Sequence, residues 1–567
     1  MPLSLHIDPE ALAENAVDDV SRILREAHLS DHRGTNVSTF AGRYDSIPVP
    51  KYQIPDKGLS DDATYELIKN ELLLDGKPGL NLASFVHTWM PERGHQLMSE
   101  TIGINLCDQD EYPATMSIHA RCVSSLANLW KAPKVTYEDG KKRAAMGTAT
   151  TGSSEAIMLA LLAAKRRWQM KRKAQGKSIH EPGPNLVFGS NVQVAIEKFA
   201  RYWDVEERAV NVDESTHYCL DAKRAMEKVD ENTIAVVVIL GSTYTGHYEP
   251  VLEMSHELDA YQAKTGIDVP IHVDAASGGF VAPFAHPKLK WSFDIERVTS
   301  INSSGHKFGM VYPGVGWVVF RSAEMVPDDL VFELHYLGSV EYSFGLNFSR
   351  PAAPVLGQMF NFISLGKDGF TKTMQCNLLN ARLLSRALEL SGHFLVLSDI
   401  HRPVSTAVAT GLKTHALDNS DAKHYMPGLP VVAFRWTDEF KAKHPHLEQR
   451  WVQVLLRAKG WIVPNYELPP NLQKIQILRV VVRDSMTADL IDQLVKDILS
   501  VTEDLASKTS QTPAVLTDAQ SQGGDASQNK DQKHGRGRHV ALFSRSKDSA
   551  ARPEFQQSRG HGYSGQC

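Results

Sequence analysis

The sequence is poor in the features that mark several specialised classes of protein. It holds five cysteines in 567 residues, and no two of them have a CxxC or zinc-type spacing. An odd, scattered set of this kind is typical of reduced thiols in a cytosolic protein. No stretch approaches the roughly 20 apolar residues of a membrane helix, and the N-terminal segment has no pattern of a secretory signal. We therefore expect a cytoplasmic protein without a membrane partner.

The sequence also lacks a large excess of charge of either sign. Its formal net charge is −5, with 42% hydrophobic and 22% charged residues. This balance gives no reason to expect nucleic acid or an anionic membrane surface as a partner. The length exceeds that of one typical core, so more than one domain is expected.

Short apolar segments alternate with helical patterns through the middle of the chain. Segments of strand length lie at 185–189, 234–240, 270–274 and 297–302, and helical patterns lie at 153–175, 192–203 and 252–266. This alternation predicts the α/β class, with a mostly parallel sheet covered on both faces. We expect Ser153 to cap the first of these helices. We also expect the Glu155 carboxylate to be stabilised by the positive N-terminal end of the helix dipole.

Four regions are predicted from the pattern and composition. They are an N-terminal arm at 1–60, a large α/β domain at 61–355, a small C-terminal α+β domain at 356–506 and a tail at 507–567. The tail is rich in Ser, Gln, Gly and Lys and poor in bulky apolar residues. Such a segment cannot bury a core, so we expect it to be disordered.

Polar features follow the predicted strands at the points where they end. Asp274 closes one strand, and Lys307 follows the next within SSGHKFG. GTATTGSSEA, at 147–156, is predicted to be a loop running into a helix, and GSTYTG, at 241–246, adds further hydroxyls. The carboxyl ends of parallel strands share one edge, where ligands bind. A loop of this kind offers N–H and hydroxyl groups to a phosphate.

These features together match the needs of pyridoxal phosphate. The cofactor requires a phosphate cradle, a carboxylate against its pyridine nitrogen and a lysine amine for its aldehyde. Taken singly, each feature has an ordinary explanation as a helix cap, a turn former or a solvated charge. Their joint presence, in this order, favours the cofactor.

Several motifs in the same order resemble the pyridoxal-phosphate-dependent group II decarboxylases, and among them the glutamate decarboxylase family. The motifs are NLASFVHTW, YPATMSIHARCVSSLANLW, TTGSSEA, VDAASGGF, SINSSGHKFG and NFSRPA, and the resemblance runs from about residue 50 to 500. It implies an aspartate-aminotransferase-like fold (fold type I). It also implies decarboxylation of L-glutamate to 4-aminobutanoate through an external Schiff base and a quinonoid intermediate.

The resemblance implies roles for individual residues. Lys307 would form the internal Schiff base, Asp274 would pair with the pyridine nitrogen, and Tyr336 would protonate the carbon that loses carbon dioxide. The other implied cofactor contacts are Ser153, Ser154, Ser304 and His306 at the phosphate, Ala276 and Gln193 on the two ring faces, Thr243 beside the ring, and Ser349 at the phosphate of a neighbouring subunit. The implied substrate contacts are Ser84, Phe85, Asn105 and Asp108 at the distal carboxylate and Arg479 at a substrate carboxylate; no metal is implied.

Two positions depart from the family pattern, and one residue predicts a pH dependence. The chain has Ala195 and Ile196 where the family has a cysteine and a large aromatic residue. Asp108 would face a substrate carboxylate, and two like charges at close range cannot both stay ionised. We therefore expect a preference for acid pH.

Other functions and partners stay open at this point. A sister decarboxylase of aromatic amino acids or of cysteine sulfinate is one alternative, and a non-catalytic scaffold with this fold is another. The role of Ser349 implies a homodimer at least, and a homohexamer fits as well. The basic segment HGRGRHVALFSRSK raises the possibility of calmodulin binding, but its weak helical periodicity favours a solvated tail.

Overall fold

The computed structural model describes residues 53–136, 142–143, 146–334, 341–404 and 421–507. The predicted tail beyond Ser507, most of the predicted arm and Tyr336 therefore lie outside the described residues. The chain divides into two compact units after Lys77. In the first unit, helix Asp61–Leu72 begins where the Ser60 hydroxyl accepts a hydrogen bond from the Ala63 amide, the usual role of a serine at this position.

Seven strands form the larger sheet. Their order across the sheet is Gly147–Thr150, Gly316–Phe320, Val298–Ser304, Ile271–Asp274, Thr233–Ile239, Asn185–Gly189 and Glu206–Val210. The last five are parallel to one another, whereas Gly316–Phe320 pairs antiparallel with both of its neighbours. The prediction of a mostly parallel sheet is confirmed. The prediction of one long loop at 147–156 was partly wrong, because its first four residues are an edge strand.

Both faces of this sheet are covered. Along strand Thr233–Ile239, Val236 and Val238 pack in one hydrophobic cluster, whereas Val237 and Ile239 pack in another. Side chains alternate between the faces of a strand, so these clusters lie on opposite sides of the sheet. The helices of this region are Glu92–Glu100, Pro113–Leu129, Ser153–Ala174, Val194–Tyr202, Ala222–Met226, Val251–Thr265 and Ala282–Ala285.

Four antiparallel strands form the smaller sheet, in the order Phe394–Val396, Val431–Trp436, Gln476–Val481 and Asn465–Glu467. The helices of this region are Ala353–Leu390, Asp438–Lys443, Arg450–Ala458 and Ala488–Ser507. The first of them contributes Met374 to the core of the larger sheet and Leu388 to the core of the smaller one. The predicted limit between residues 355 and 356 falls inside this helix, and the domain limits stay a prediction.

Two short antiparallel pairs complete the described structure. Val135–Thr136 pairs with Lys142–Arg143, and Phe332–Leu334 pairs with Glu341–Ser343. Within the described ranges, no helix combines the length and apolar character needed to cross a membrane.

Candidate active site

Asp274 lies at the carboxyl edge of the larger sheet and is held from two sides. In the parallel ladder it faces Asn302 of the next strand, whose side-chain amide donates to Asp274 Oδ1 at 2.9 Å. The Ala276 backbone amide donates to the same oxygen at 3.1 Å. The Asp274 residue is only 3% exposed. The carboxylate is therefore fixed in orientation at the strand end, as the sequence predicted.

His272 is a buried residue on the same strand as Asp274, and sequence reasoning missed it. It precedes Asp274 by two residues, and its Nδ1 bonds with Ser300 Oγ at 2.8 Å. Burial lowers the pKa of His272 to about 4, although the nearby Asp274 acts in the opposite direction. The imidazole is therefore neutral at physiological pH. A polar residue inside the apolar strand 270–274 was the available signal.

Lys307 lies just beyond the neighbouring strand, close to the same edge. Its Nζ lies 3.5 Å from Ser277 Oγ and 5.3 Å from the centre of the Phe85 ring. The flanking glycines permit this tight turn. A Cβ atom on Gly305 would lie 2.4 Å from Gln358 Oε1, and one on Gly309 would lie 2.5 Å from the Gly305 carbonyl oxygen.

Arg479, on the smaller sheet, reaches the same aromatic ring. Its guanidinium lies 5.0 Å from the centre of the Phe85 ring, Nη1 donates to the Thr243 carbonyl at 2.7 Å, and Nη2 donates to the Ala83 carbonyl. The residue is 4% exposed, and its Nε–H has no acceptor within the described chain. Lys307 and Arg479, from different sheets, thus share one ring as a neighbour.

The predicted phosphate residues converge at the start of helix Ser153–Ala174. The hydroxyls of Ser153 and Ser304 lie 2.7 Å apart, and Ser154 follows directly in the first helical turn. The prediction that Ser153 caps the helix was wrong. Gly152 occupies the cap position, and Ser153 is the first helical residue, with its hydroxyl turned to Ser304.

His306 completes this corner. A Cβ atom on Gly152 would lie 3.3 Å from the His306 ring, so the imidazole lies against the loop that precedes the helix. Its Nδ1 is buried and has no hydrogen-bond partner among the described residues. Burial, together with the charge of Lys307, lowers the pKa of His306 to about 4.

Glu155 links the phosphate corner to a distant segment, a role that sequence reasoning missed. Its carboxylate accepts hydrogen bonds from the Thr151 amide at 2.8 Å and from the amides of Leu346 and Asn347 at 2.9 and 3.1 Å. Burial acts to raise the pKa of Glu155, but the hydrogen bonds from Thr151 and Asn347 outweigh it and lower the pKa. The predicted place of Glu155 in the first helical turn is confirmed.

Asn105, Asp108 and Ser349 form a second group of predicted site residues. Asn105 Nδ2 donates to Asp108 Oδ1 at 2.9 Å and to Ser349 Oγ at 3.4 Å. The Arg350 amide donates to Asn105 Oδ1 at 3.1 Å. Ser349 is exposed, so its hydroxyl is available to a neighbouring molecule.

The remaining predicted residues have local roles in the structure. Ser84 Oγ accepts from the Val86 amide at 3.1 Å, and Gln193 Oε1 accepts from the Ala195 amide at 2.6 Å at the start of helix Val194–Tyr202. Ala195 and Ile196, the two departures from the family pattern, are buried in a hydrophobic cluster. Their smaller side chains are therefore accommodated by packing.

Arg483 is a further residue that sequence reasoning missed. Its guanidinium donates to the carbonyls of Val86, Asn81 and Pro78. It thereby holds the backbone of the segment that carries Ser84. A second arginine in QILRVVVR was the available signal.

These features define the chain as an α/β enzyme with a cofactor site at the carboxyl edge of its sheet. The family model for the pyridoxal-dependent decarboxylase conserved domain matches residues 50–409. The chain belongs to the pyridoxal-dependent decarboxylase family, and the expected fold class is confirmed.

Two glutamate decarboxylases are similar to this chain over most of its length. The chain is 43% identical to a glutamate decarboxylase of Petunia hybrida, over 89% of this chain and 92% of that protein. It is 42% identical to a glutamate decarboxylase of Saccharomyces cerevisiae, over 84% of this chain and 83% of that protein.

Solved structures agree with the assignment of the chain to this family. A glutamate decarboxylase from Lactobacillus brevis superposes with a TM-score of 0.74 at 35% identity, covering 83% of this chain and 98% of the other. A Catharanthus roseus tryptophan decarboxylase, at 17% identity and a TM-score of 0.62, covers 89% of this chain and 100% of its own. At that identity the second likeness shows the fold alone.

Pyridoxal phosphate is the cofactor of this family, and the residues present fit it. The paired hydroxyls of Ser153 and Ser304 and the unpartnered Nδ1 of His306 supply polar groups for a phosphate at a helix N-terminus. Asp274 is a buried, fixed carboxylate for the ring nitrogen. Lys307 supplies the amine at the same sheet edge.

Proposed function

We propose that the chain removes the α-carboxylate of L-glutamate, releasing carbon dioxide and 4-aminobutanoate. The observation that carries this proposal is the placement of Lys307 and Arg479 against one Phe85 ring. Arg479 is buried and contacts backbone carbonyls, with no carboxylate partner among the described residues. Its planar fork suits a substrate carboxylate. Similarity to glutamate decarboxylases over most of the chain supports glutamate as the substrate.

The chain's own residues hold and orient the reacting groups. When bound, pyridoxal phosphate supplies an aldehyde for the substrate amine and a protonated ring that accepts the electron pair left by carbon dioxide. Asp274, fixed by Asn302 and Ala276, would hold the ring nitrogen in its protonated form. Lys307 supplies the amine that attaches the cofactor, and Tyr336 delivers a proton to the α-carbon. Each turnover therefore consumes one proton.

A neighbouring subunit completes this proposed site. The resemblance assigns Ser349 to the neighbour's phosphate, and Asn105 bonds to both Ser349 and Asp108. These hydrogen bonds hold the three residues together, so Asn105 and Asp108 would serve the neighbouring site along with Ser349. We therefore propose a homodimer or a larger homo-oligomer as the active form. The preference for acid pH, which depends on Asp108, stays a prediction.

A panel of amino acids tests the proposed substrate. Carbon dioxide release is measured with the full chain and added pyridoxal phosphate on L-glutamate, on aromatic amino acids and on cysteine sulfinate. We expect the highest kcat/KM on L-glutamate. A higher kcat/KM on an aromatic amino acid or on cysteine sulfinate would assign the chain to a sister activity. No release from any substrate would favour a scaffold.

The remaining proposals concern the location and the tail. The cysteines at 122, 219 and 376 are free thiols, which supports the proposal of a reducing, cytoplasmic location. We propose that residues 507–567 do not act as a calmodulin switch. Activation by calcium-calmodulin that is lost on truncation at 507 would refute this.

A further inference from the structure

A cavity lies at the edge of the larger sheet that is opposite to the edge near Lys307. Its volume is about 710 Å³, and its lining includes Thr233, Pro270 and Thr299, at or next to the amino ends of three parallel strands. Lys307 and Asp274 lie at the carboxyl ends. A seven-residue strand spans roughly 20 Å, so the cavity is separate from the cofactor site. Its volume is in the range of small-molecule sites.

Two consecutive residues of helix Ser153–Ala174 that line this cavity carry unpartnered N–H donors. Trp168 is 7% exposed and its indole Nε1–H has no acceptor in the described structure. Arg167 Nε is buried and also lacks an acceptor, and its Nη1 contacts the sulfur of Met325, a weak acceptor. Buried donors are nearly always paired in native proteins. Two adjacent exceptions on one cavity wall indicate a missing acceptor.

The carboxylates of the lining do not fill this need, because basic side chains already hold them. Arg297 bonds to Asp259 at 2.5 Å and to Asp268 at 2.7 Å. The other pairs are Lys177 with Glu231 at 3.2 Å and Lys131 with Asp294 at 3.0 Å. Glu296 is the remaining carboxylate of the lining, and its charge acts on Arg321.

Several bases of the lining are left without a carboxylate in contact. Arg321 Nη1 donates to the backbone carbonyls of Phe293, Ile295 and Val298. Lys171 and Lys290 are exposed and form no ion pair within the part of the chain that the structure describes. Burial lowers the pKa of Arg167, and the charge of Asp268 offsets this only in part. The lining holds as many acidic as basic side chains, so the case for an anion rests on the two orphaned N–H donors and on the bases that contact no carboxylate.

We propose that this cavity binds a small phosphate-bearing anion, held by the Arg167 guanidinium and the Trp168 N–H, at a site separate from the cofactor. Guanidinium forks match phosphate oxygens in geometry and charge. A phosphate offers several acceptors at once, as two neighbouring donors from one helix require. The cavity is larger than one phosphate group, so a phosphate monoester fits the space better than free phosphate.

Binding to the holoenzyme tests this site. The full chain is saturated with pyridoxal phosphate in a phosphate-free buffer, and calorimetric titrations are made with inorganic phosphate and with glycerol 3-phosphate. We expect saturable binding, tighter for the ester. Arg167→Gln should weaken it about 10- to 100-fold, the range for a hydrogen-bonded charge. Tighter binding of inorganic phosphate would keep the site and change its ligand to the free anion.

The neighbouring Arg166 provides a matched control. Arg166 lies on the same helix but pairs with Asp329 at the surface, outside the lining of the cavity. Arg166→Gln should bind both probes like the wild type. No saturable binding to the wild type, or equal binding by the two variants, would overturn the proposal.

Two further variants separate a ligand role from a structural one. Trp168→Phe keeps an aromatic ring and removes the N–H, so it should weaken binding; because Trp168 packs in a hydrophobic cluster, the smaller ring should also lower the melting temperature, and binding is measured well below that temperature. Arg167→Met should melt at or above the wild-type temperature in the absence of phosphate, because it removes a partly buried charge that no carboxylate contacts. A lower melting temperature together with unchanged binding would show that Arg167 serves the fold alone.

Discussion

At the scale of single residues, the site depends on charged groups that are buried and held by backbone atoms. Arg479 donates to two carbonyls and keeps one N–H without an acceptor among the described residues. The Asp274 carboxylate accepts hydrogen bonds from the Asn302 side chain and from the Ala276 backbone amide. Groups held in this way need little rearrangement when a charged ligand arrives.

Arg479 is the residue whose replacement should affect substrate binding most selectively. Arg479→Met should raise KM for L-glutamate by about 10- to 100-fold, because a charge-assisted hydrogen bond contributes about 1.5–3 kcal/mol. Steady-state rates of carbon dioxide release measure this effect. Arg457→Met, an exposed helix position, is the control and should leave KM unchanged. An unchanged KM in Arg479→Met would remove this residue from the substrate site.

Glu249 should make folding stability depend on pH. Burial raises its pKa from 4.5 to about 7, although it accepts hydrogen bonds from the amides of Ile239 and Leu220. The folded state therefore holds a proton that the unfolded state loses above pH 4.5. The stabilisation by this proton is complete below pH 4.5. The free energy of unfolding that it contributes falls by about 3 kcal/mol as the pH rises to about 7.

Urea unfolding midpoints between about pH 5 and pH 8 check this prediction. Buried histidines act in the opposite direction below about pH 6.5, so Glu249→Gln should make the free energy of unfolding rise more steeply with pH, up to about pH 7, than in the wild type. Glu253→Gln, at an exposed position of the adjacent helix, should keep the wild-type profile. Parallel profiles for the two variants would contradict the assignment to Glu249.

At the scale of elements, the phosphate corner is formed where an edge strand meets a helix start. Gly316 faces Thr150 on one side and Ser304 on the other. A Cβ atom on Gly316 would lie 2.3 Å from the Gly152 carbonyl carbon and 2.6 Å from the Ser153 nitrogen. Backbone atoms cannot move aside as a flexible side chain would, so this strand position requires glycine.

Gly316→Ala should therefore displace the loop before the helix and weaken cofactor binding. Overpacking of this kind costs about 1–3 kcal/mol, so the cofactor should dissociate about tenfold more readily. Equilibrium dialysis followed by absorbance of the retained cofactor measures this. Gly103→Ala, where no atom lies within 4 Å of the new Cβ, should retain the cofactor normally. Equal retention by both variants would refute the steric argument.

The elements predicted from the sequence were those with a strong local signal. Thr233–Ile239 and Asn185–Gly189 are buried along their whole length, and their apolar runs predicted them. Gly147–Thr150 has no bulky residue, so its strand character depends on pairing with Gly316–Phe320, which local composition does not reveal.

The same distinction applies to the candidate site. Lys307 and Asp274 follow strands and were predicted from their positions, and the structure places both at the sheet edge. The link between Glu155 and Leu346 joins residues far apart in the chain. Tertiary contacts of this kind have no local pattern. Ser153 was predicted as a cap from the local preference of serine for that position. Its actual partner, Ser304, is distant in the chain, so the local pattern could not indicate it.

At the scale of the whole molecule, the candidate active site contains residues from the regions of both sheets. Lys307 comes from the larger sheet and Arg479 from the smaller one, and they meet at Phe85. Helix Ala353–Leu390 runs through both cores. Stability of the whole fold should therefore affect the site directly.

Buried neutral histidines should destabilise the whole fold in acid. Burial lowers the pKa values of His119, His272 and His286 to about 4. The unfolded state takes up protons below about pH 6.5, whereas the folded state does not, so their contribution is complete above that pH and is lost as pH falls toward 4. Each residue contributes up to about 3 kcal/mol. This effect opposes that of Glu249 and exceeds it in sum.

Unfolding midpoints below about pH 6.5 measure this loss. We expect the free energy of unfolding to fall steadily toward about pH 4.5, and His286→Gln to make the decline less steep. Stability that stays constant or increases in this range would contradict the neutral state of these histidines.

Carbon dioxide release from L-glutamate by the wild type and by Lys307→Ala tests the central claim most directly. The full chain is assayed with saturating pyridoxal phosphate, and Lys264→Ala, an exposed helix position, is the control. We predict that the wild type and Lys264→Ala release carbon dioxide at equal rates and that Lys307→Ala falls to background, because Lys307 is the residue proposed to supply the amine that attaches the cofactor. A wild-type rate in Lys307→Ala would contradict the assignment of this lysine and the mechanism built on it.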